Sequence, residues 1–327
     1  MPTDITKTIG SGGDYSTPQA WEDALPANLV TVDERWIGEG FNEEFVDTSG
    51  NGISFAGSTT DATRYPYLKT NGSSSFKDNA NVRTNALTYN ASNGTALRAT
   101  DSYINGISIA TNFVRIEGWQ VNATGTSSMA IAVANDSVTI NKCILKATGR
   151  AVNVTGTATS GKVINCLLLG VTFAAKGFNN WDFRNCTAIR VGAAGGTAFE
   201  VGYGTWQVIN TAAFGWSDFD NVATGGAFTG SQYNATDLAG APGTNNQVSL
   251  TYADQFENSA SDWRAKSTGS LQAGTPDATN APDDISDQDR DDTTPWIGCW
   301  EIAAAAAGAG QGVIGGGFGA KVIGAGF

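Results

Sequence analysis

The sequence predicts an all-β solenoid, a parallel β-helix of roughly 20–25 residues per coil, and three observations predict it. The first is one short motif met five times between Phe113 and Gly215. Its copies are Val114-Arg-Ile-Glu-Gly-Trp119, Val138-Thr-Ile-Asn-Lys-Cys143, Lys162-Val-Ile-Asn-Cys166, Asp182-Phe-Arg-Asn-Cys186 and Gln207-Val-Ile-Asn-Thr211. Aligned on their last residues, they step by 24, 23, 20 and 25 residues. The second is a weaker track between them: Ala130-Ile-Ala-Val, Ala151-Val-Asn-Val, Phe173-Ala-Ala-Lys and Ala198-Phe-Glu-Val. The third is the spacers, which are Gly, Ser, Thr, Asn and Ala, residues that make turns. No spacer holds a helical period, and Leu does not recur at the offsets of a leucine-rich repeat. Each period therefore reads as one coil of two or three strands, stacked on the next at the ordinary strand spacing of ~4.8 Å. Cys143, Cys166 and Cys186 then form an inward column, and Asn165, Asn185 and Asn210 a column at the adjoining turn.

Taken in order, residues 1–33 read as an N-terminal cap. Thr17 precedes Pro18, the punctuation of a helix start, and Pro26 ends the helix. Trp21, Ala24 and Leu25 share its apolar face and are placed to plug the open end of the core. Residues 34–262 read as the β-helix. Its early strands are Arg35-Trp-Ile-Gly, Ile53-Ser-Phe-Ala and Tyr67-Leu-Lys, and its last coil takes in Gln247-Val-Ser-Leu-Thr. The polar stretch Asn71–Thr100 is a long loop or an irregular coil. Residues 263–302 read as a C-terminal cap. Residues 303–327 are a Gly/Ala-rich arm in which an apolar hexapeptide occurs twice, Val313-Ile314-Gly-Gly-Gly-Phe318 and Val322-Ile323-Gly-Ala-Gly-Phe327. The bland reading of the arm is a solvated tail. The sharper one is a docking arm whose Val313, Ile314, Phe318, Val322, Ile323 and Phe327 enter grooves on a partner.

The opening Thr8-Ile-Gly-Ser-Gly-Gly-Asp-Tyr-Ser-Thr-Pro-Gln-Ala-Trp21 resembles the start of right-handed parallel β-helix proteins of the pectin-lyase-like class, above all those of tailed phages and phage-like reading frames. Thr59-Thr-Asp-Ala-Thr-Arg-Tyr65 resembles a segment of the same group. So does the close, Asp262-Trp-Arg-Ala-Lys-Ser267, Gln272-Ala-Gly-Thr275, Asp287-Gln-Asp-Arg-Asp291 and Trp296-Ile-Gly298. The sequence departs from the pattern at Gly298-Cys-Trp-Glu301 and in the tail that follows. The resemblance implies a right-handed β-helix with a helical N-terminal cap, and a place on a phage particle.

Chemistry is sparse. The chain has no His, which excludes Ser-His-Asp and Cys-His mechanisms. It also lacks paired CxxC ligands, so neither a metal nor another cofactor is expected, and Cys299 is expected free and packed. A glycan hydrolase needs two carboxyl groups about 5–10 Å apart. Glu117, Asp136, Asp182, Glu200, Asp218 and Asp220 are the acids of the regular coils, and the repeat register brings no two of them together with certainty. Asp218 and Asp220 form the best pair if their segment is extended. With Trp206 and Trp216 they make a possible glycan-contact surface, against the plainer reading of packed Trp and a solvated turn. No residue is assigned as catalytic. The acidic run Asp283–Asp292 lacks the Gly and distal Glu of an EF-hand and reads as a solvated loop before it reads as a Ca²⁺ site.

The net charge of −12 argues against nucleic acid and against an anionic membrane. Residues 1–10 carry no apolar signal core, and the Gly-dense tail with Lys321 is a poor membrane span. The expectation is a non-enzymatic virion protein, a decoration, spike or fibre of head or tail. It is assembled in the host cytoplasm and held to capsid or tail proteins by its C-terminal arm. It is open to homotrimer formation and to contact with a host surface glycan. The alternative is a glycan-degrading or glycan-binding tailspike on the same scaffold.

Overall fold

A computed structural model describes residues 1–302 except 49, 78–82, 103, 157, 193–194 and 224. The arm 303–327, with its six docking candidates, lies outside the described residues. Among those described, three parallel sheets wind about one core. The first has nine strands, from Thr3–Ile9 to Gly226–Phe228. The second has eight, from Glu44–Asp47 to Ala235–Thr236. The third has seven, from Ile53–Phe55 to Asp218–Val222. The five copies of the motif each cross from the first sheet to the second, and the weaker track is the third sheet.

The register stacks like on like. Ile144 pairs with Gln120 and Leu167, Leu167 with Thr187, and Thr187 with Ala212, so Trp119, Cys143, Cys166, Cys186 and Thr211 lie one above another. All five are fully buried. Each preceding residue turns the corner between the two sheets in the left-handed region: Gly118 (φ 76), Lys142 (φ 52), Asn165 (φ 53), Asn185 (φ 50) and Asn210 (φ 50). Asn tolerates this conformation better than other side chains, which explains the Asn column. The corner is also hydrogen-bonded from coil to coil. The Cys143 N–H donates to Cys166 Sγ at 3.4 Å, Cys186 N–H to Thr211 Oγ1 at 3.4 Å, and Thr211 N–H to Asn234 Oδ1 at 3.0 Å. The four cysteines are free thiols.

At the N-terminal end the helix Pro18–Asp23 begins at Thr17, whose Oγ1 accepts from the Ala20 N–H. Trp21 is fully buried and lies over Gly38, where any Cβ would sit 2.6 Å from the indole. Leu25 is half-buried and Ala24 is exposed, so Trp21 carries the plug. The strand Thr3–Ile9 pairs along its whole length with Glu34–Gly40 and extends the first sheet into the region expected to be cap. The far end holds isolated bridges, Gln232 to Thr244 and Ala235 to Gln247, in place of a full last coil.

The C-terminal segment departs most from expectation. Residues 263–302 were expected to close the end of the helix. They run instead along its flank, over the outer face of the second sheet. Leu271, Ile285, Trp296, Ile297, Cys299 and Trp300 build a second apolar cluster with Ile144, Leu167, Leu169, Ile189 and Phe214. The cause is visible in the strand Leu167–Gly170, whose four residues are all buried, inward and outward alike. A sheet apolar on both faces needs a cover on both faces.

Polar contacts fix this strap along the Asn corner. Asn210 Nδ2 donates to the Thr275 carbonyl at 2.6 Å, and the Thr275 N–H donates back to Asn210 Oδ1 at 2.9 Å. Arg290, buried, donates to Asn165 Oδ1 at 3.2 Å. The strap ends against the long loop after Pro66–Thr70. There Arg83 lies over the Trp300 ring at 3.9 Å and donates to Asp284, Ser286 and the Glu301 carbonyl.

Candidate functional site

The outer face of the first sheet carries an open groove of about 570 Å³. Strand alternation builds it. In Asn180–Arg184 the buried Trp181 and Phe183 point inward, which turns Asn180, Asp182 and Arg184 outward. Repeated through the paired strands, this gives one outward row of Arg115, Thr139, Lys162, Asp182 and Gln207. A second row of Ser137, Ser160, Asn180 and Thr205 borders it, and Phe113 closes one end. The floor is shaped from inside. At Gly161 an added Cβ would meet the Trp181 ring at 2.3 Å, so only Gly lets that indole pass beneath the sheet.

The electrostatics of the row are uneven. Arg115 lies 4.2 Å over the Tyr65 ring, and the described residues place no carboxylate within ion-pair distance of it. Lys162 donates to Asn280 Oδ1 at 3.1 Å and likewise has no ion-pair partner among them. Among the described residues, Asp182 is the one acid lining the groove. Its Oδ2 accepts from Arg184 Nε at 2.6 Å, while Oδ1 is shielded and has no donor. Burial pushes the Asp182 carboxyl up, against the pull of Arg184 and Lys162. Arg184 in turn is held from behind by Asp277 of the strap. Burial would raise Asp277 too, but hydrogen bonds from Asn280 and Arg184 hold it below the usual carboxylate range. The strap thus fixes Arg184, Arg184 pairs with Asp182, and among the described residues Arg115 and Lys162 make no ion pair in a chain of net charge −12.

The residues expected at a glycan surface are placed otherwise. Trp206 is fully buried and packs on Phe183 at 5.0 Å, so its face is closed to a sugar. Trp216 is 3% exposed and donates its indole N–H to the Ala188 carbonyl at 3.1 Å. Both are corrected to core residues, because each lies at an inward position of its coil. Asp218 and Asp220 do share a face, with Phe219 inward between them, but they lie on the last strand of the third sheet, away from the groove. Burial and the neighbouring Asp218 raise the Asp220 carboxyl. Charges on a terminal strand oppose edge-to-edge pairing, and that is what this position explains.

The acidic run is corrected as well. Asp284 is fully buried and Asp283 and Asp287 both grip the Lys142 ammonium, whereas Asp287, Asp289 and Asp292 are exposed, so the run is a partly solvated loop anchored by counter-ions. Asp182 is a candidate acid in the sequence, but its place in one row with Arg115, Lys162 and Gln207, each three residues before the corner, is visible only in the stacked coils. That shared offset is the trace the row leaves in the repeat.

No protein-family model matches the chain, and no curated protein sequence does. Among solved structures, a deglycosylated pectin methylesterase from Aspergillus niger is similar at 13% identity, over 85% of this chain and 95% of that one, with a TM-score of 0.45. Pectate lyase Pel9A is similar at 12% identity, over 92% of this chain and 97% of that one, with a TM-score of 0.46.

Proposed function

We propose that this chain is a non-enzymatic structural protein of a phage particle, a rigid β-helical display element that meets an extended surface polysaccharide along the groove of its first sheet. The observation that carries the glycan contact is the row Arg115, Thr139, Lys162, Asp182 and Gln207, whose two cations make no ion pair among the described residues. Parallel in-register strands present polar groups at a fixed step, and an extended polysaccharide presents hydroxyl and acidic groups at a fixed step of its own. The particle role is supported by the resemblance of the opening and closing segments. Attachment is assigned to the arm through Val313, Ile314, Phe318, Val322, Ile323 and Phe327, with capsid or tail proteins or sister chains of a homotrimer as its partners.

The non-enzymatic reading is supported by the described groove lining, in which Asp182 is the one acid, where hydrolysis by the usual route takes two. One observation favours the alternative, a depolymerase. Asp182 and Asp277 flank Arg184 and titrate in opposite directions from the usual value, the pattern of a divided acid–base pair.

Incubation with host capsule or lipopolysaccharide separates the two readings. Binding that Lys162→Gln weakens, without new reducing or unsaturated ends, is the expected result. Release of such ends, abolished by Asp182→Asn, overturns it. Deleting residues 308–327 is expected to remove the chain from particles while leaving binding by the free protein intact.

A further inference from the structure

The order of charges along the groove restricts which polysaccharide fits. Directly paired strands give the sequence Arg115, Thr139, Lys162, Asp182, Gln207, one residue per coil. Coils stack at ~4.8 Å, so the two cations stand about 10 Å apart, with a neutral hydroxyl between them. A pyranose unit of an extended chain advances by roughly one strand spacing, so each coil faces about one sugar. Alternate coils then offer Arg115, Lys162 and Gln207, and the coils between offer Thr139 and Asp182. An acid on every sugar would set one against Asp182, at a rung whose neighbours already hold that carboxylate in place. An acid on every second sugar meets a cation, a cation and an amide, and turns a neutral sugar toward the Asp182 rung.

Resting on the reading of the groove as a glycan site, we infer that its ligand is a linear polysaccharide carrying an acidic group on alternate sugars, and that Asp182 is the residue that enforces the alternation. Asp182 acts by repelling a misplaced acid. Arg184 and, behind it, Asp277 of the strap position it and leave Lys162 free.

The test is calorimetric titration of the full chain with three decasaccharides: hyaluronan, acidic on alternate sugars; alginate, acidic on each; and maltodextrin, neutral. Hyaluronan is expected to bind about threefold to fivefold more tightly than alginate, the effect of one partly exposed charge contact, and maltodextrin more weakly than either. Asp182→Asn is expected to raise alginate affinity more than that of hyaluronan and so to erase the preference. Gln207→Lys, which leaves Asp182 and its partner in place, is expected to tighten hyaluronan. Equal or tighter binding of alginate by the wild type overturns the inference, as does an Asp182→Asn variant with an unchanged ratio, and the glycan reading then still stands. Failure of both acidic polymers to bind overturns the glycan reading as well. If Asp182→Asn does not fold, the Gln207→Lys titration and the wild-type ratio decide.

Discussion

The ammonium of Lys142 lies 2.5 Å from Asp283 Oδ2, across 141 residues of sequence. It contacts Asp287 as well, and Lys77 meets Asp287 from the other side at 3.1 Å. Burial alone would lower the Lys142 pKa, but the two carboxylates raise it. This group, at a left-handed corner of a middle coil, is one of the anchors of the strap that covers the second sheet.

Replacing it should loosen that strap selectively. Lys142→Met strands two carboxylates that are 26% and 43% exposed, so the cost lies between those of surface and buried pairs, about 1–2 kcal/mol. Limited proteolysis should then cut first within residues 263–302, with the coils intact. Cutting first inside residues 105–222 would contradict the assignment.

Acid should act on the same contacts. Burial would raise Asp287 and Asp277, but hydrogen bonds from Lys142 to the one, and from Asn280 and Arg184 to the other, keep both below the ordinary 3.8. A carboxyl depressed in the folded state adds stability that is complete above 3.8 and lost as pH falls through its folded value. Amide exchange in residues 270–302, corrected for intrinsic rates, should speed up as pH falls below about 3.8, before exchange in the coils does. Asp287→Asn should flatten that dependence.

The Asn corner gives a contrast between two chemically identical residues. Asn210 makes two hydrogen bonds to Thr275, whereas both amide atoms of Asn185 are buried without partners. Glycine tolerates φ 50 at either place. Asn210→Gly should therefore cost about 1–3 kcal/mol, and Asn185→Gly should be near neutral or stabilising, because it removes a buried unsatisfied amide. Chemical denaturation of the two variants checks the order.

The thiols should be inert while the chain is folded. All four are buried, and burial pushes Cys299 up to about 12 and Cys166 and Cys186 upward as well. Thiolate is the reactive form, so iodoacetamide near neutral pH should label none of them until denaturant is added. Rapid labelling of the native chain would mean that the column is open.

The repeat by itself determined the coil, its length, the inward column and the turn column. Side-chain alternation and left-handed corners act locally, and stacking then copies one coil's pattern onto the next. Trp21, Cys166 and Asn165 could be placed from neighbours within one or two coils. Tertiary structure alone decided what covers the outer faces. The strap lies over the second sheet because Leu167 and Leu169 need a partner that local sequence does not name, and its acids found Lys142, Arg184 and Arg83 across distances that periodicity cannot encode. The groove belongs to both levels. The repeat set the row from Arg115 to Gln207, and the strap, by holding Arg184 against Asp182, decided which of its charges are left unpaired.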